Sequence, residues 1–194
     1  MWAEIKTALN STIGTSRFES LDLIQKRKSY ECFYNEMISL SKTALFKKDS
    51  TDDVTLQTRY DYAPIIIPIK KDGVIDQEYL NIYIDAYDVS GSSYNQIILP
   101  PNTIEINNID EQYCRWIFFI PYGVKRFNSV IGATPYAVSS NKIYEFPSTI
   151  EYIRSDAFSK AGSNQKIIIH KKMGEIEGHP WGHSFEDCII YVGD

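Results

Sequence analysis

The chain has little of what usually announces a chemistry. Its 194 residues hold three cysteines, Cys32, Cys114 and Cys188, odd in number and far apart. A disulfide framework is therefore not expected, and the three read as small buried or half-buried side chains. Positive charge is also scarce: 20 Lys and Arg stand against 25 Asp and Glu, a net charge of -5. A nucleic-acid-binding surface is not expected, because affinity for phosphate comes mainly from clustered cations. The one basic run, Lys26-Arg27-Lys28, reads as a solvated junction between helices. No apolar run nears the roughly 20 residues a membrane-spanning helix needs, so membrane insertion is not expected. The longest are Ile65-Ile66-Ile67 and Trp116 to Ile120. The opening Met1-Trp2-Ala3-Glu4-Ile5-Lys6 carries an acid at its fourth position and no apolar stretch of signal-peptide length, so Sec export is not expected either. A Gly-x-Ser-x-Gly elbow, a phosphate-binding glycine loop and a His-Glu-x-x-His pair are all missing. Neither an enzyme nor a cofactor is expected.

Apolar residues are plentiful, 43% of the chain, enough for one good core or two small ones. Tyrosine is abundant at 14 residues. Tyrosine suits an interface, and strands also favour it. The most informative pattern is a degenerate repeat in the last hundred residues. With Pro101, Pro121, Pro147, His170 and Gly193 as anchors, the mean spacing is about 23 residues, the length of a short solenoid unit. Three residues before the anchors stand Ile98, Phe118, Tyr144, Ile167 and Ile190, and one residue before stand Pro100, Ile120, Phe146, Ile169 and Val192. Such period-2 alternation predicts a short strand that ends at a turn. Ile104, Val124, Ile150 and Met173 follow three residues after the first four anchors and predict a second inward contact. Eleven residues after three of them come Gly132, Phe158 and Trp181, the last two predicted to lie in equivalent core layers. On this register Asn107 and Gln112 in the first unit, and Gly132 in the second, depart from the pattern. A generic β fold is the plainer alternative.

The fold class predicted is α+β, in three parts. Residues 1–48 are read as a helical N-terminal docking segment of short amphipathic helices: Trp2, Ile5 and Leu9 recur at helical spacing, Phe18, Leu21 and Ile24 begin another stripe, and Ser29 can cap a third helix with Phe33, Met37 and Leu40 on one face. Residues 49–93 are read as a β-rich middle, in which Val54-Thr55-Leu56 alternates, Pro64 and Pro68 bracket three isoleucines, and Leu80 to Tyr87 forms a strand with Leu80, Ile82, Ile84 and Ala86 on one face. Residues 94–194 form the repeat domain.

Candidate sites are few. Tyr83, Asp85 and Tyr87, on the polar side of the Leu80 to Tyr87 strand, are candidate ligand contacts that could stack on and hydrogen-bond a sugar. The plainer reading is a solvated or interfacial strand face. Glu78, Asp85 and Asp88 could supply a glycosidase pair only if their separation suited one. His179-Pro180-Trp181-Gly182-His183 with Cys188 offers metal-ligand types, but Pro-Trp-Gly makes a turn rather than a zinc knuckle, and a packed terminal turn with Trp181 over the repeat core is the plainer reading. No metal site is predicted.

Two segments resemble known families. Residues 143–158, Ile-Tyr-Glu-Phe-Pro-Ser-Thr-Ile-Glu-Tyr-Ile-Arg-Ser-Asp-Ala-Phe, resemble the BspA-like leucine-rich repeat, and Lys166 to Tyr191, with Gly178-His179-Pro180-Trp181-Gly182, resembles the closing unit of such repeats in phage tail-associated proteins. The string from Met1 to Thr15, followed by Phe18, Leu21 and Asp22, is similar to the opening of tail- or baseplate-associated proteins in phages and prophages of Gram-positive bacteria. The resemblance implies a C-terminal degenerate leucine-rich-repeat solenoid in a non-enzymatic virion component of the tail, baseplate or fibre, made in the host cytoplasm and acting in assembly or host attachment. Its implied partners are other virion subunits, in a homo- or hetero-oligomer, and a host surface glycan or protein. Trp2, Ile5, Leu9 and Phe18 would be the docking residues. An adhesive or ligand-binding repeat module of a bacterium is the alternative, and a carbohydrate-active enzyme the third reading.

Overall fold

Three proline turns set the architecture. Thr103 N–H donates to the Pro100 carbonyl at 3.1 Å, Val124 N–H to the Pro121 carbonyl at 3.1 Å and Ile150 N–H to the Pro147 carbonyl at 3.0 Å. Each is a β-turn that joins one short strand to the next. In the second, Gly123 takes φ 115°, a left-handed backbone open to glycine. The computed structural model describes residues 22–46, 65–86, 97–114, 116–117, 119–131, 143–160, 166–178 and 189–191, with the backbone alone at 40–46, 84–86, 112, 143 and 189–191. Its elements in chain order are α1 (Leu23–Phe46), β1 (Ile65–Ile66), β2 (Val74–Asp76), α2 (Gln77–Ala86), β3 (Ile97–Ile98), β4 (Glu105–Asn107), the single turn α3 (Glu111–Cys114), β5 (Arg126–Asn128), β6 (Ile143–Phe146), β7 (Tyr152–Ile153), β8 (Lys166–Ile169), a 3-10 turn (Met173–Glu175) and β9 (Ile189–Tyr191).

Among the described residues all the strand pairing is parallel, and it follows chain order. Strands before the turns form β1-β3, which a bridge from Ile97 extends to Ile117, and β6-β8-β9. Strands after the turns form β2-β4-β5-β7, extended by a bridge from Tyr152 to Glu177. The described residues thus form a mixed α/β structure with two helices longer than a single turn and parallel sheets. The ladder starts at Ile65, so pairing crosses position 93, where the sequence reading divided a middle region from the repeats.

Ile65, Ile67, Ile97, Leu99, Ile106, Phe127, Phe146, Ile153, Ile167 and Ile169 fill one interior. Phe127, Phe146 and Phe158 run edge to face through it, with ring centres 5.0 and 5.7 Å apart. The register anchored on Pro101 is corrected by one residue. Ile97 and Leu99 face this interior while Ile98 faces α1, and Pro100 is the true anchor. A one-residue slip reverses every side chain of a strand. The departure at Asn107 then disappears, because Ile106 occupies its place and is fully buried. Ile104, expected inside, is 44% exposed; Thr103 takes the inward position with its hydroxyl on the Pro100 carbonyl at 2.7 Å. At the other end Ile189, not Ile190, pairs with Ile167. Met173 is exposed on the 3-10 turn, and Ile176 goes inside instead.

Of the short N-terminal helices expected, those before residue 22 lie outside the described residues, and the start of a new helix at Ser29 is corrected. One 24-residue helix, α1, runs through Ser29 without a break. Its start is a reciprocal cap: Gln25 N–H donates to the Asp22 carboxylate at 2.8 Å and Asp22 N–H to the Gln25 side-chain oxygen at 3.1 Å. Lys26, Tyr30, Phe33, Tyr34 and Met37, at helical spacing, make the buried face, whereas Ile24 is exposed. That face lies on Ile66, Ile98 and Phe119. The basic run is therefore no solvated junction: the Lys26 ammonium sits 5.1 Å from the Tyr122 ring centre and Arg27 Nε donates to the Tyr122 carbonyl at 3.2 Å.

Leu80 to Tyr87 is corrected from strand to helix over its described residues, which end α2. The Asp76 carboxylate accepts from Tyr79 N–H at 2.8 Å and starts the helix. Leu80 is buried, while Ile82, meant for the same face, is 62% exposed. Cys114 is buried as expected, but Cys32 is exposed on α1.

Candidate binding face

The β2-β4-β5-β7 sheet has one side in the interior and the other turned outward. Period-2 geometry sends Ile75, Ile106, Phe127 and Ile153 inward, so their neighbours in sequence form two outward rows. Val74, Glu105, Arg126 and Tyr152 stand side by side in the first, continued by Glu177 through its bridge. Asp76, Asn107 and Asn128 stand side by side in the second. These side chains hold one another across the strands. The Arg126 guanidinium lies 4.3 Å from the Tyr152 ring centre and 3.9 Å from a Glu105 carboxylate oxygen. Asn128 donates its amide to the Asn107 side chain at 2.8 Å.

At the end of the second row the chain leaves the sheet through Asn108, whose φ of 48° is tolerated by asparagine better than by most residues. Beyond it lies an open cleft of about 360 Å³, lined by Asn108, Ile109, Asp110, Glu111, Val130 and Arg154. Arg154 pairs with Asp156, and Glu111 with Lys160, both at 2.5 Å. The rim thus carries both signs of charge beside the Asn108 amide, groups that suit a polar ligand. On the flank, Lys125 Nζ reaches Glu151 at 2.8 Å. That hydrogen bond holds the Glu151 carboxyl below its ordinary range.

Of the residues singled out as ligand contacts, Tyr83 alone has a described side chain. Tyr83 lies half-buried on α2, its hydroxyl 3.5 Å from that of Tyr79. Burial, then this contact, pushes the Tyr79 phenol up to about 12. Asp85 stands two positions on in the same helix, so the strand expected to carry the pair is corrected. Tyr87 and Asp88 lie outside the described residues, as do Trp2, Ile5, Leu9, Phe18, His179, Trp181, His183 and Cys188. Glu78 is exposed in the first turn of α2. Among the described residues no group of three or more His, Cys, Asp and Glu could hold a metal ion, and no helix is long and apolar enough to cross a membrane. The outward rows went unnoticed in the sequence, although Val-Ile-Asp, Glu-Ile-Asn and Arg-Phe-Asn each follow a proline or glycine turn with a single apolar residue between polar or smaller ones. No family model, curated protein or solved structure matches the chain.

Proposed function

We propose that the chain is a degenerate solenoid of BspA-like leucine-rich repeats that serves, without catalysis, as a component of a phage tail, baseplate or fibre in assembly or host attachment. The observation that carries the repeat reading is the parallel pairing of successive short strands in chain order, from Ile65 to Tyr191, with three of them followed by equivalent proline turns. Units of this kind cannot bury an apolar face alone and build extended surfaces when stacked. Placement in a particle is supported by the resemblance of residues 1–22 and of the closing unit to tail-associated proteins. The outward rows around Arg126 and Tyr152 would make the contact with a host glycan or protein.

The test is mass spectrometry of particles purified from the strain that encodes the chain. The reading expects the chain at a fixed copy number relative to the major tail protein. A particle without it, with the chain free in the lysate, would favour the adhesive or ligand-binding module. The open, polar cleft at Asn108 and Arg154 favours that second reading, and binding of purified chain to host cell-wall glycans, lost in Arg154→Ala and kept in Arg126→Ala, would support it.

A further inference from the structure

The outward rows of β2-β4-β5-β7 match a reversed copy of themselves. Read across the strands from β2 to β7, the first row is Val74, Glu105, Arg126 and Tyr152, in register. Set face to face with its own reverse, it places Glu105 against Arg126, Arg126 against Glu105, and the Val74 side chain against the Tyr152 ring. The second row, Asp76, Asn107 and Asn128, continues beside β7 at Arg154, whose N–H donates to the Phe127 carbonyl at 2.9 Å as the next step of the ladder. Reversed, this row places Asn107 against Asn128 and Asp76 against Arg154. These end charges have partners of their own in Lys70 and Asp156 and add less.

One symmetry operation produces both matches. A two-fold axis parallel to the strands, midway between β4 and β5, turns the sheet over and reverses the strand order while each row keeps its level. Each row then meets its own copy, as an isologous interface requires. Within one chain Arg126 already lies 3.9 Å from Glu105, and a second copy closes four side chains into a ring in which every cation has two anions beside it. The Arg126 side chain is 46% exposed and Glu177, at the end of the same row, is exposed. Asn107 and Asn128 spend one amide N–H on each other, which leaves further donors and acceptors for a facing amide. The patch is small, because four strands about 4.8 Å apart and three residues rising about 3.3 Å each fall short of the roughly 800 Å² per partner of a stable complex. Pairing is therefore weak and sensitive to salt.

We propose that the outward face of β2-β4-β5-β7 pairs with the same face of a second copy of this chain, about a two-fold axis parallel to the strands, with Glu105 and Arg126 of both copies at its centre. This pairing stands independently of the host-contact reading. The rows cannot meet a host ligand and a second copy at once, so the pair is the closed form of the contact face.

Sedimentation equilibrium of the full chain over a wide range of concentration tests it. The native chain should dimerise reversibly as concentration rises, and less so in added salt. Arg126→Glu leaves two carboxylates at the centre of the row and Glu105→Arg leaves two cations, so each variant should dimerise at least about tenfold more weakly, with like charges facing across the axis. An equal mixture of the two variants should associate as the native chain does, because carboxylates then face cations. A chain carrying both substitutions should pair with itself again, since the alternation is restored in the opposite order. These two rescues separate a facing contact from damage to the fold. A native chain that stays monomeric at every concentration would overturn the proposal and leave the face to a host ligand. Native-like dimers of both single variants, or a mixture that fails to associate, would overturn it in favour of another surface.

Discussion

Strands that lie under α1 differ from the strands of the β2-β4-β5-β7 sheet in how many faces are covered. Ile65-Ile66-Ile67 and Ile97-Ile98-Leu99 are apolar at every position, because alternate residues enter the interior and the residue between lies under α1. Val74-Ile75-Asp76, Glu105-Ile106-Asn107 and Arg126-Phe127-Asn128 bury only the central residue. Parallel strands covered on both faces read as continuous apolar runs, and those covered on one face alternate. The two strand types therefore report, residue by residue, where the molecule meets solvent and where it meets its own helix.

The sharpest way to break that contrast is at β5. Phe127 is 1% exposed and its ring meets Phe146, so Phe127→Ala should destabilise by about 3–5 kcal/mol, the range for deleting a buried aromatic. Its neighbour Arg126 projects outward, and Arg126→Ala should stay within about 0.5 kcal/mol, as surface changes usually do. Chemical denaturation of both variants checks the pair. Equal losses would mean that the outward row is structural and not a free face.

A smaller effect belongs to the helix that covers the pre-turn strands. Tyr30→Phe removes the hydroxyl that donates to the Leu99 carbonyl and should destabilise by about 1–3 kcal/mol, the range for leaving a buried polar group unpartnered. The same phenol makes the cover sensitive to alkali. Burial raises its pKa far above the ordinary 10.0, so the contribution is whole below that value and is lost as pH rises past it toward the folded-state value. Stability of the native chain should fall above pH 10 more steeply than that of Tyr30→Phe.

Much of this architecture was legible in the chain, and the errors have a common physical source. The proline turns at 121 and 147 and the alternation around Tyr144, Ile153 and Ile167 locate strands because both turn chemistry and period point the same way. At Pro100-Pro101 two prolines compete for one anchor, and a strand apolar at every residue gives no alternation to choose between them. Leu80 to Tyr87 alternates like a strand, yet Asp76 and Glu78 are helix-start signals, and the helix wins because its cap is satisfied while it still sends Leu80 inside. The outward face went unnoticed because it belongs to three-residue strands, too short to show a period. The isoleucines between Pro64 and Pro68 could have been recognised as a further unit by the pattern already used at Pro147.

The smallest expected effect lies at the flank of the outward face. Glu151 is fully exposed and receives the Lys125 ammonium from the neighbouring strand. Exposed pairs add little at neutral pH, because solvent and salt screen them. The sign of their pH dependence is nonetheless fixed. The Lys125 hydrogen bond lowers the folded-state pKa of the Glu151 carboxyl, so its contribution is present above the unfolded value, near 4.5, and is lost as pH falls through the lower, folded value. Glu151→Gln should therefore leave the neutral-pH midpoint almost unchanged and flatten the acid limb of the stability profile, and added salt should erase the difference. A Glu151→Gln chain whose acid limb matches the native one would show that the cross-strand pair is ornamental, and that the apolar row alone holds β5 and β7 in register.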